Sequence, residues 1–478
     1  MIRLLSLLVG ILLAQSVSAQ FSFTYKPDPI DSPISNDINK FLISGLAANQ
    51  SAFEHVGPKK KEFVGEIYQN GYIRLKEDFQ NGRFLVSSPL SAAVQTLIDE
   101  IKKSNGIISD DLTGLVRRSD VPNAINYGNG LIGVNLGLLV RLENRDQLLF
   151  ILCHEIGHTL ANHSRKTVEE IVELNFNKEL KNKVSKAHNQ RNNNYTDVKR
   201  ILLDVQFMRS KYSKAKEYEA DSIGLQLYLK TSGNPQQAIR CLELLDSIDI
   251  PAHEKLIDFK EIFNFDEYPF EDNWLKYTKA QTWHRSIESL YPDSLRTHPN
   301  CRERIASVRR QLNNMQWQGA GEIVSFDQIK LKARFEQIAS SFYFKEYGKS
   351  LYYTLNLLSD YKDNRYLHAM AGRNLYFLFK SREKHEQGKV LELPDPRFSD
   401  SYDRFLSFIH GLRLGELEAL SYYYLTTKPR DFFEDEEFAY SLWLGSKLKI
   451  SKLDKDMIAA DYRKNYPHGK YINELTLK

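Results

Sequence analysis

The sequence predicts an α+β protein that is mostly helical and has more than one domain. The segments 333–358, 365–380 and 402–425 have the apolar spacing of helices. Residues 63–86 alternate between apolar and polar around two Asn-Gly pairs, which predicts short strands joined by turns. A length of 478 residues with 42% hydrophobic content gives room for two or three domains with packed interiors.

Residues 1–19 are predicted to be a secretory signal peptide. Arg3 supplies a positive charge, residues 4–13 are apolar, and small residues at 17–19 suit cleavage between Ala19 and Gln20. The apolar run is too short for a membrane span, and no later stretch approaches about 18 apolar residues. We therefore expect an extracytoplasmic chain, in a bacterial periplasm, with no transmembrane span after cleavage. An uncleaved anchor is the alternative.

Residues 20–84 are predicted to form an amino-terminal arm followed by the short strands. Prolines and polar residues at 25–35 are typical of an extended arm. Ser88 and Pro89 predict a helix to about residue 103, with Ser88 as its N-cap. Thr167 and Glu170 form a possible capping box for a later helix.

A candidate metal site lies at His154-Glu155-Ile156-Gly157-His158, on a helix for which Asp146 is a plausible cap. Positions i and i+4 share one helix face, so His154 and His158 can direct both imidazoles at one ion. Glu155 lies about a third of a turn away, where it reaches a water on the metal but not the metal. Zinc lowers the pKa of such a water to about 7, and a carboxylate then accepts its proton. An ordinary polar helix turn is the competing interpretation.

A catalytic zinc also needs a third protein ligand. Ala161 and Ser164 exclude the metzincin pattern, which has glycine and histidine at those positions. A thermolysin-like arrangement would use a glutamate such as Glu179. We favour Glu217 as the ligand, with Asp221 accepting a hydrogen bond from a ligand histidine.

The segment Glu217-Tyr218-Glu219-Ala220-Asp221 supports this choice through its spacing. Glu217 and Asp221 are four residues apart on one helix face. Ala220 and Gly224 are small enough for this helix to approach the first one closely.

The two motifs, in this order, resemble metallopeptidase family forty-eight, which includes the CAAX prenyl proteases and the HtpX heat-shock proteases. Three further segments agree over about residues 85–310. Asn123-Ala124, followed by a glycine-rich stretch at 130–134, looks like the family's edge strand, and Gly137-Leu138-Leu139 looks like the short helix before the metal helix. Thr297-His298-Pro299 with Arg304 resembles the element that closes the catalytic domain. The resemblance implies a minigluzincin-type zinc metallopeptidase domain at 85–310, with a small antiparallel sheet and one zinc ion per chain.

An edge strand beside a zinc site can hydrogen-bond an extended peptide substrate, although a simple glycine-rich hairpin is the alternative. The residues expected to present these backbone groups are Asn129, Gly130, Leu131, Ile132, Gly133 and Val134.

The resemblance also brings in three further side chains. His298 is expected to face the open coordination position as a catalytic residue, or else to anchor its turn. Arg304 is expected to pair with a carboxylate such as Asp221, with a solvated arginine as the alternative. His163 lies nine residues from His154, on the opposite side of a straight helix, so we expect a structural role, with contact to a ligand as the alternative.

Cysteine content and charge exclude some classes of protein. Three cysteines cannot form a disulfide framework in a chain of this length. Cys153 points about 100° away from His154 and is expected to be a buried thiol, while a Cys241–Cys301 pair stays open. A net charge of +4 gives no argument for binding nucleic acid or a membrane surface, and we expect no nucleic-acid partner.

Residues 311–478 resemble degenerate tetratricopeptide repeats, which implies an α-helical repeat-like domain able to bind a partner protein from the cell envelope. The expected function is a secreted or periplasmic zinc-dependent metalloendopeptidase. It would hydrolyse peptide bonds in unfolded or misassembled envelope proteins, with Glu155 activating the water. The alternative is a chaperone or assembly scaffold that acts through the helices and has a quiescent metal site.

Overall fold

The computed structural model describes residues 21, 23–30, 36–108, 112–177, 214–247, 255–275, 301–314, 325–395 and 398–476. The predicted signal peptide, Glu179 and His298 lie outside these residues. The chain divides into two compact units. The sheet unit comprises residues 28–250 and 291–333, and the helical unit comprises 1–27, 251–290 and 334–478.

The elements of the described residues are given in chain order. The amino-terminal ones are α1 (Asn36–Ser51), α2 (Pro58–Gln80), β1 (Phe84–Leu85), α3 (Pro89–Asn105), β2 (Thr113–Arg117), β3 (Ala124–Asn126), β4 (Leu131–Asn135) and α4 (Leu136–Arg141). Next come α5 (Arg145–Leu160), α6 (His163–Phe176), α7 (214–228), α8 (Gln236–Asp246), α9 (Phe259–Phe263) and α10 (Cys301–Asn314). The last are α11 (Asp327–Tyr343), α12 (Tyr347–Leu358), α13 (Arg365–Glu383), α14 (Asp400–Gly411), α15 (Leu414–Thr426), α16 (Glu436–Ser446) and α17 (Lys455–Asn465). Four short 3-10 helices lie at Asp272–Leu275, Gln387–Lys389, Arg430–Glu434 and Glu474–Thr476.

The strands predicted over residues 63–86 are wrong, because this segment forms α2 and only Phe84–Leu85 is extended. The buried residues of α2 are Val64, Leu75 and Phe79, which recur at helical spacing, and Phe79 stacks on Phe84. Packing of this apolar face overrides the local alternation. The turn predicted at Asn81-Gly82 is present, with Gly82 at φ 66°.

The four strands form a mixed sheet in the order β1-β2-β4-β3, so the expectation of a purely antiparallel sheet is corrected. Strands β2 and β4 are parallel, while β1–β2 and β3–β4 are antiparallel. The segment 129–134, predicted to be the substrate edge, lies mostly in β4, which pairs on both sides. The edge beside it is β3. Gly133 makes room for the Tyr127 ring and not for a substrate, since an added Cβ would lie 3.0 Å from that ring.

Three predicted helix starts have different outcomes. Ser88 caps α3, its Oγ accepting from the Leu90 N–H at 3.1 Å. The cap of α5 is Asn144 instead of Asp146, which lies in the first turn and accepts from the Asn234 N–H. The capping box is wrong because α6 already begins at His163, so Thr167 lies inside it.

Helix α5 is the centre of the sheet unit. All of its residues from Asp146 to Gly157 are buried, and it packs against β3, α3 and α8. An apolar helix enclosed on every side is held rigidly, since each face fills a close-packed interior. Side chains that α5 directs inward therefore have fixed positions.

The helical unit is built around α13, which is buried along nearly its whole length and packs against α12, α15 and α16. The predicted helix 333–358 is two helices, separated where Lys345 adopts φ 63°. The tetratricopeptide resemblance of this unit stays a prediction. Among the described residues, we find no helix with the length and hydrophobicity to cross a membrane.

Candidate metal centre

Two histidines of α5 converge at its carboxyl-terminal end. The Nε2 atoms of His154 and His158 lie 3.0 Å apart, as expected for residues one helical turn apart on one face. His154 is buried and His158 is nearly so. The two imidazoles therefore direct ring nitrogens at one point.

Glu217 of α7 completes this group. Its Oε2 lies 3.6 Å from His154 Nε2, and its Oε1 lies 3.5 Å from His158 Nε2. Within the described ranges, these three residues are the set of histidine, cysteine and carboxylate side chains whose ligand atoms all lie within 4.8 Å of one another. The structure thus brings together the residues proposed as ligands from the sequence.

Small residues allow α7 to come this close. A Cβ added to Gly224 would lie 2.9 Å from the His154 Cα and N, and one added to Gly157 would lie 2.8 Å from the Ala220 carbonyl oxygen. Both distances are shorter than real Cβ contacts, so any side chain at either position would push the helices apart. The glycines fix the distance between the two ligand-bearing helices.

Asp221 orients the first histidine. His154 Nδ1 lies 2.9 Å from Asp221 Oδ1, and Arg304 of α10 binds Asp221 through its Nε at 2.6 Å and its Nη2 at 2.7 Å. Arg304 Nη1 also lies 3.1 Å from Glu217 Oε2. Burial opposes ionisation of the Asp221 carboxyl, but the Arg304 guanidinium holds its pKa well below the ordinary value. This is the pairing that the sequence suggested for Arg304.

His163 contacts the second histidine, against the expectation that it lies on the opposite face. Its Nδ1 is 2.7 Å from His158 Nδ1, and its Nε2 is 3.1 Å from Glu219 Oε2. The expectation failed because the helix is not straight. It ends at Leu160, and Asn162 takes a left-handed conformation with φ 54° before α6 begins.

These contacts assign the protons of both histidines. Glu219 accepts a hydrogen bond from His163 Nε2–H, so His163 Nδ1 is an acceptor and His158 must donate from its own Nδ1. Asp221 likewise accepts from His154 Nδ1. His158 Nε2 is therefore unprotonated, and the two Nε2 atoms are the ring nitrogens left to bind a cation together with the Glu217 carboxylate.

Such a group fits a zinc ion. Lone pairs and a carboxylate repel one another without a cation between them. A tetrahedral zinc with bonds of about 2.0–2.1 Å spaces its ligand atoms about 3.3 Å apart, close to the distances of 3.0, 3.5 and 3.6 Å seen here. Burial and the neighbouring histidines lower the pKa of His158 to about 2, so its ring stays neutral, as a ligand must be.

Glu155 is a buried carboxyl beside the ligands. Burial raises its pKa to about 7. Asn126 of β3 fixes the local backbone, since its Nδ2 donates to the Glu155 carbonyl oxygen and to Thr159 Oγ1, each at 2.6 Å. A carboxyl with a pKa near neutrality can accept and return a proton.

A cleft of about 330 Å³ opens on these side chains. Glu155, both α5 histidines and Glu217 line one wall, and residues 123–126 line another. Antiparallel pairs alternate between bonded and non-bonded positions, and Asn123 and Tyr127 are bonded to β4. The N–H and C=O groups of Ala124 and Asn126 therefore point away from β4.

Two residues of this site, Glu219 and Asn126, are not predicted from the sequence. Glu219 lies within the quoted second motif, but its role depends on His163, which was placed on the wrong face. Asn126 is not predicted because the sequence places the substrate edge at 129–134, which lies mostly in β4, whereas Asn126 lies in β3.

The cysteines have no ligand role in the described structure. All three are buried free thiols, so Cys241 and Cys301 are not paired. Burial raises the pKa of Cys153 well above the ordinary value, which disfavours the thiolate that binds metals.

Comparison with known proteins agrees with this geometry. Residues 90–312 match the model of Peptidase family M48. The mitochondrial metalloendopeptidase OMA1 of Saccharomyces cerevisiae (strain ATCC 204508 / S288c) is 27% identical over 154 residues, which cover 32% of this chain and 40% of the yeast protein. The chain thus spans less than half the length of that relative. Residues 90–312 are a metallopeptidase domain of family M48.

Proposed function

We propose that this chain is a zinc-dependent metalloendopeptidase with one zinc ion per chain. The observation that carries the proposal is the convergence of the Nε2 atoms of His154 and His158 and the Glu217 carboxylate. The membership of residues 90–312 in family M48 and the likeness to a metalloendopeptidase support it.

His154, His158 and Glu217 would hold the zinc ion. When bound, zinc supplies a Lewis acid that polarises a peptide carbonyl and acidifies water. Glu155 accepts the proton of the attacking water and returns it to the departing amine nitrogen, because its carboxyl lines the cleft together with the three ligands. Asp221 and His163 keep the two imidazoles in the tautomers that leave Nε2 free.

An extended peptide is the substrate that fits the cleft. The outward backbone groups of Ala124 and Asn126 would pair with the substrate backbone, adding it as a strand to the edge of the sheet. Recognition of backbone groups gives modest sequence specificity. It also requires a segment that is unfolded or locally loose.

The biological duty that we propose is removal of unfolded or misassembled proteins of the cell envelope. Its support is the signal-like sequence at 1–19 and the need for extended substrates. Sequencing the amino terminus of the mature protein tests the location, and a terminus at Gln20 is expected. An intact Met1 on the purified protein would contradict it.

Cleavage of unfolded casein tests the enzymatic proposal. We expect the wild-type protein to cleave casein, and Glu155→Gln to lose at least about 100-fold in rate while it retains zinc, because the proton acceptor is removed but the ligands remain. Glu173→Gln is the matched control, since Glu173 is exposed on α6, and it should keep full activity. Equal rates for Glu155→Gln and wild type would contradict the mechanism.

A further inference from the structure

The helical unit contains a cavity of about 240 Å³ that has no part in the metal centre. Residues 255–262, α12, α13 and α15 surround it. Its walls are mixed, with somewhat more apolar than polar surface, and its apolar side chains are Leu256, Ile257, Ile262, Leu355, Leu358 and the Tyr424 ring. The volume is at the small end for ligand sites, so an occupant would be small.

Most polar groups of this cavity are already paired. Lys362 Nζ lies 2.6 Å from Glu261 Oε1, and Asp258 caps α9 by accepting from the Glu261 N–H. His368 Nε2 donates to the Lys362 carbonyl oxygen at 2.7 Å, so its Nδ1 accepts from the Tyr424 hydroxyl at 2.8 Å. These groups make the wall but have little capacity left for a charged ligand.

Among the described residues of the cavity, Lys428 and the exposed Lys255 have no such partner for their ammonium groups, and Lys428 is the more buried of the two. Its Nζ lies 4.3 Å from the centre of the Tyr424 ring, and burial lowers its pKa to about 8. No carboxylate in the described part of the chain contributes to that shift. A partly buried ammonium without an anionic partner costs free energy, which an anion entering the cavity would recover.

We propose that this cavity binds a carboxylate attached to a small apolar group, with Lys428 pairing the carboxylate and the leucine and isoleucine walls holding the apolar part. Two sources share this chemistry. One is a small free organic acid, and the other is the carboxyl terminus of a peptide that ends in an apolar residue. The proposal is independent of the zinc-dependent activity.

Calorimetric titration of the full chain at pH 7 tests the proposal with N-acetyl-leucine, N-acetyl-leucinamide and hexanoate. We expect the acid to bind at least about 10-fold more tightly than its amide, because only the acid forms a charge-assisted hydrogen bond. Binding of hexanoate with similar affinity assigns free acids as the source. Binding of N-acetyl-leucine without hexanoate assigns peptide termini.

Two variants make the test specific. Lys428→Met should abolish the preference for the acid, and it should fold well because it removes an unpaired charge. Lys447→Met is the control, because Lys447 also sits over an aromatic ring, 3.4 Å from the Trp443 centre, but does not line the cavity. Equal affinity for acid and amide, wild-type binding by Lys428→Met, or no binding of either acid up to about 10 mM would each overturn the proposal.

Discussion

The tautomers of His154 and His158 depend on two carboxylates that never reach the metal position. Asp221 fixes the first ring directly, and Glu219 fixes the second through His163. The first arrangement is buried and reinforced by Arg304, whereas the Glu219 side chain is 47% exposed. We therefore expect Asp221 to contribute more to zinc affinity than Glu219, since exposed pairs are screened by water.

Replacing Asp221 with asparagine should weaken zinc binding by about 10- to 100-fold, because the neutral amide loses the Arg304 pair and holds His154 less firmly. Competition with a chelating dye measures the affinity. Glu219→Gln is the matched variant for the contact that reaches His158 through His163, and it should lose less zinc affinity. A larger loss for Glu219→Gln than for Asp221→Asn would contradict this ranking.

Lys428 gives a pH dependence whose sign follows from its lowered pKa. In the folded protein its pKa is about 8, against an ordinary value of 10.5, so the unfolded chain binds more protons between these values. Burial of the charge thus destabilises the fold fully below pH 8, and the cost disappears above pH 10.5.

Lys428→Met should therefore raise the free energy of unfolding by about 1–3 kcal/mol at pH 7 and by much less at pH 10.5. Urea denaturation of both proteins at the two pH values measures the difference, in which the other titrating groups cancel. An equal difference at both pH values would show that the charge of Lys428 is not the cause.

The sequence predicted the two histidines because their geometry is local, four residues apart on one helix. It predicted Glu217 through its spacing to Asp221 and the family resemblance, since Glu217 lies on a different helix. It offered the contact of His163 with a ligand only as the alternative, because that contact depends on the left-handed Asn162 between two helices. Asparagine tolerates that conformation better than most residues, but nothing in a sequence requires it to adopt it.

The distance between α5 and α7 depends on two glycines, and Gly224 is the more sensitive one. An added methyl would meet the backbone of His154 itself. Gly224→Ala should displace α7, separate Glu217 from the histidines, and reduce zinc affinity by at least about 10-fold.

Gly71→Ala is the matched control, because Gly71 lies within α2 and an added Cβ there meets nothing within 4 Å. It should raise stability by about 0.5–1 kcal/mol through helix propensity and leave zinc binding unchanged. Differential scanning calorimetry and zinc titration of both variants check this. Wild-type zinc affinity in Gly224→Ala would show that a methyl group fits between α5 and α7 without displacing Glu217.

Strand assignments failed where long-range pairing decides the structure. The alternation of apolar and polar residues at 63–86 predicts strands, but the segment forms α2 because its apolar face packs against distant residues. The glycine-rich segment 129–134 is predicted to be an edge strand, but it lies mostly in β4, which β2 covers as a parallel neighbour. A sequence shows which residues favour strands, but the position of a strand within a sheet is set by partners distant in the chain.

The division of the whole molecule also rests on distant contacts. Residues 255–275 join the helical unit, where Phe259 and Phe263 stack on Phe408. The amino-terminal Tyr25 belongs to the same unit and stacks on Phe335. Neither segment carries a local signal for this placement, because aromatic residues fill many kinds of core.

Two compact units predict two responses to metal removal. A ligand stabilises only the unit that binds it, by about 4 kcal/mol when zinc is present at 1,000 times its dissociation constant. Calorimetry should show two unfolding transitions, of which a chelator lowers one. Equal shifts of both transitions, or none, would contradict the assignment of zinc to the sheet unit.

The zinc content of the Glu217→Ala protein tests the central claim most directly. After dialysis against a weak chelator, elemental analysis should find one zinc ion per chain in the wild type and in Glu155→Gln, and much less than one in Glu217→Ala. A full equivalent of zinc retained by Glu217→Ala would contradict the claim that His154, His158 and Glu217 form the metal site.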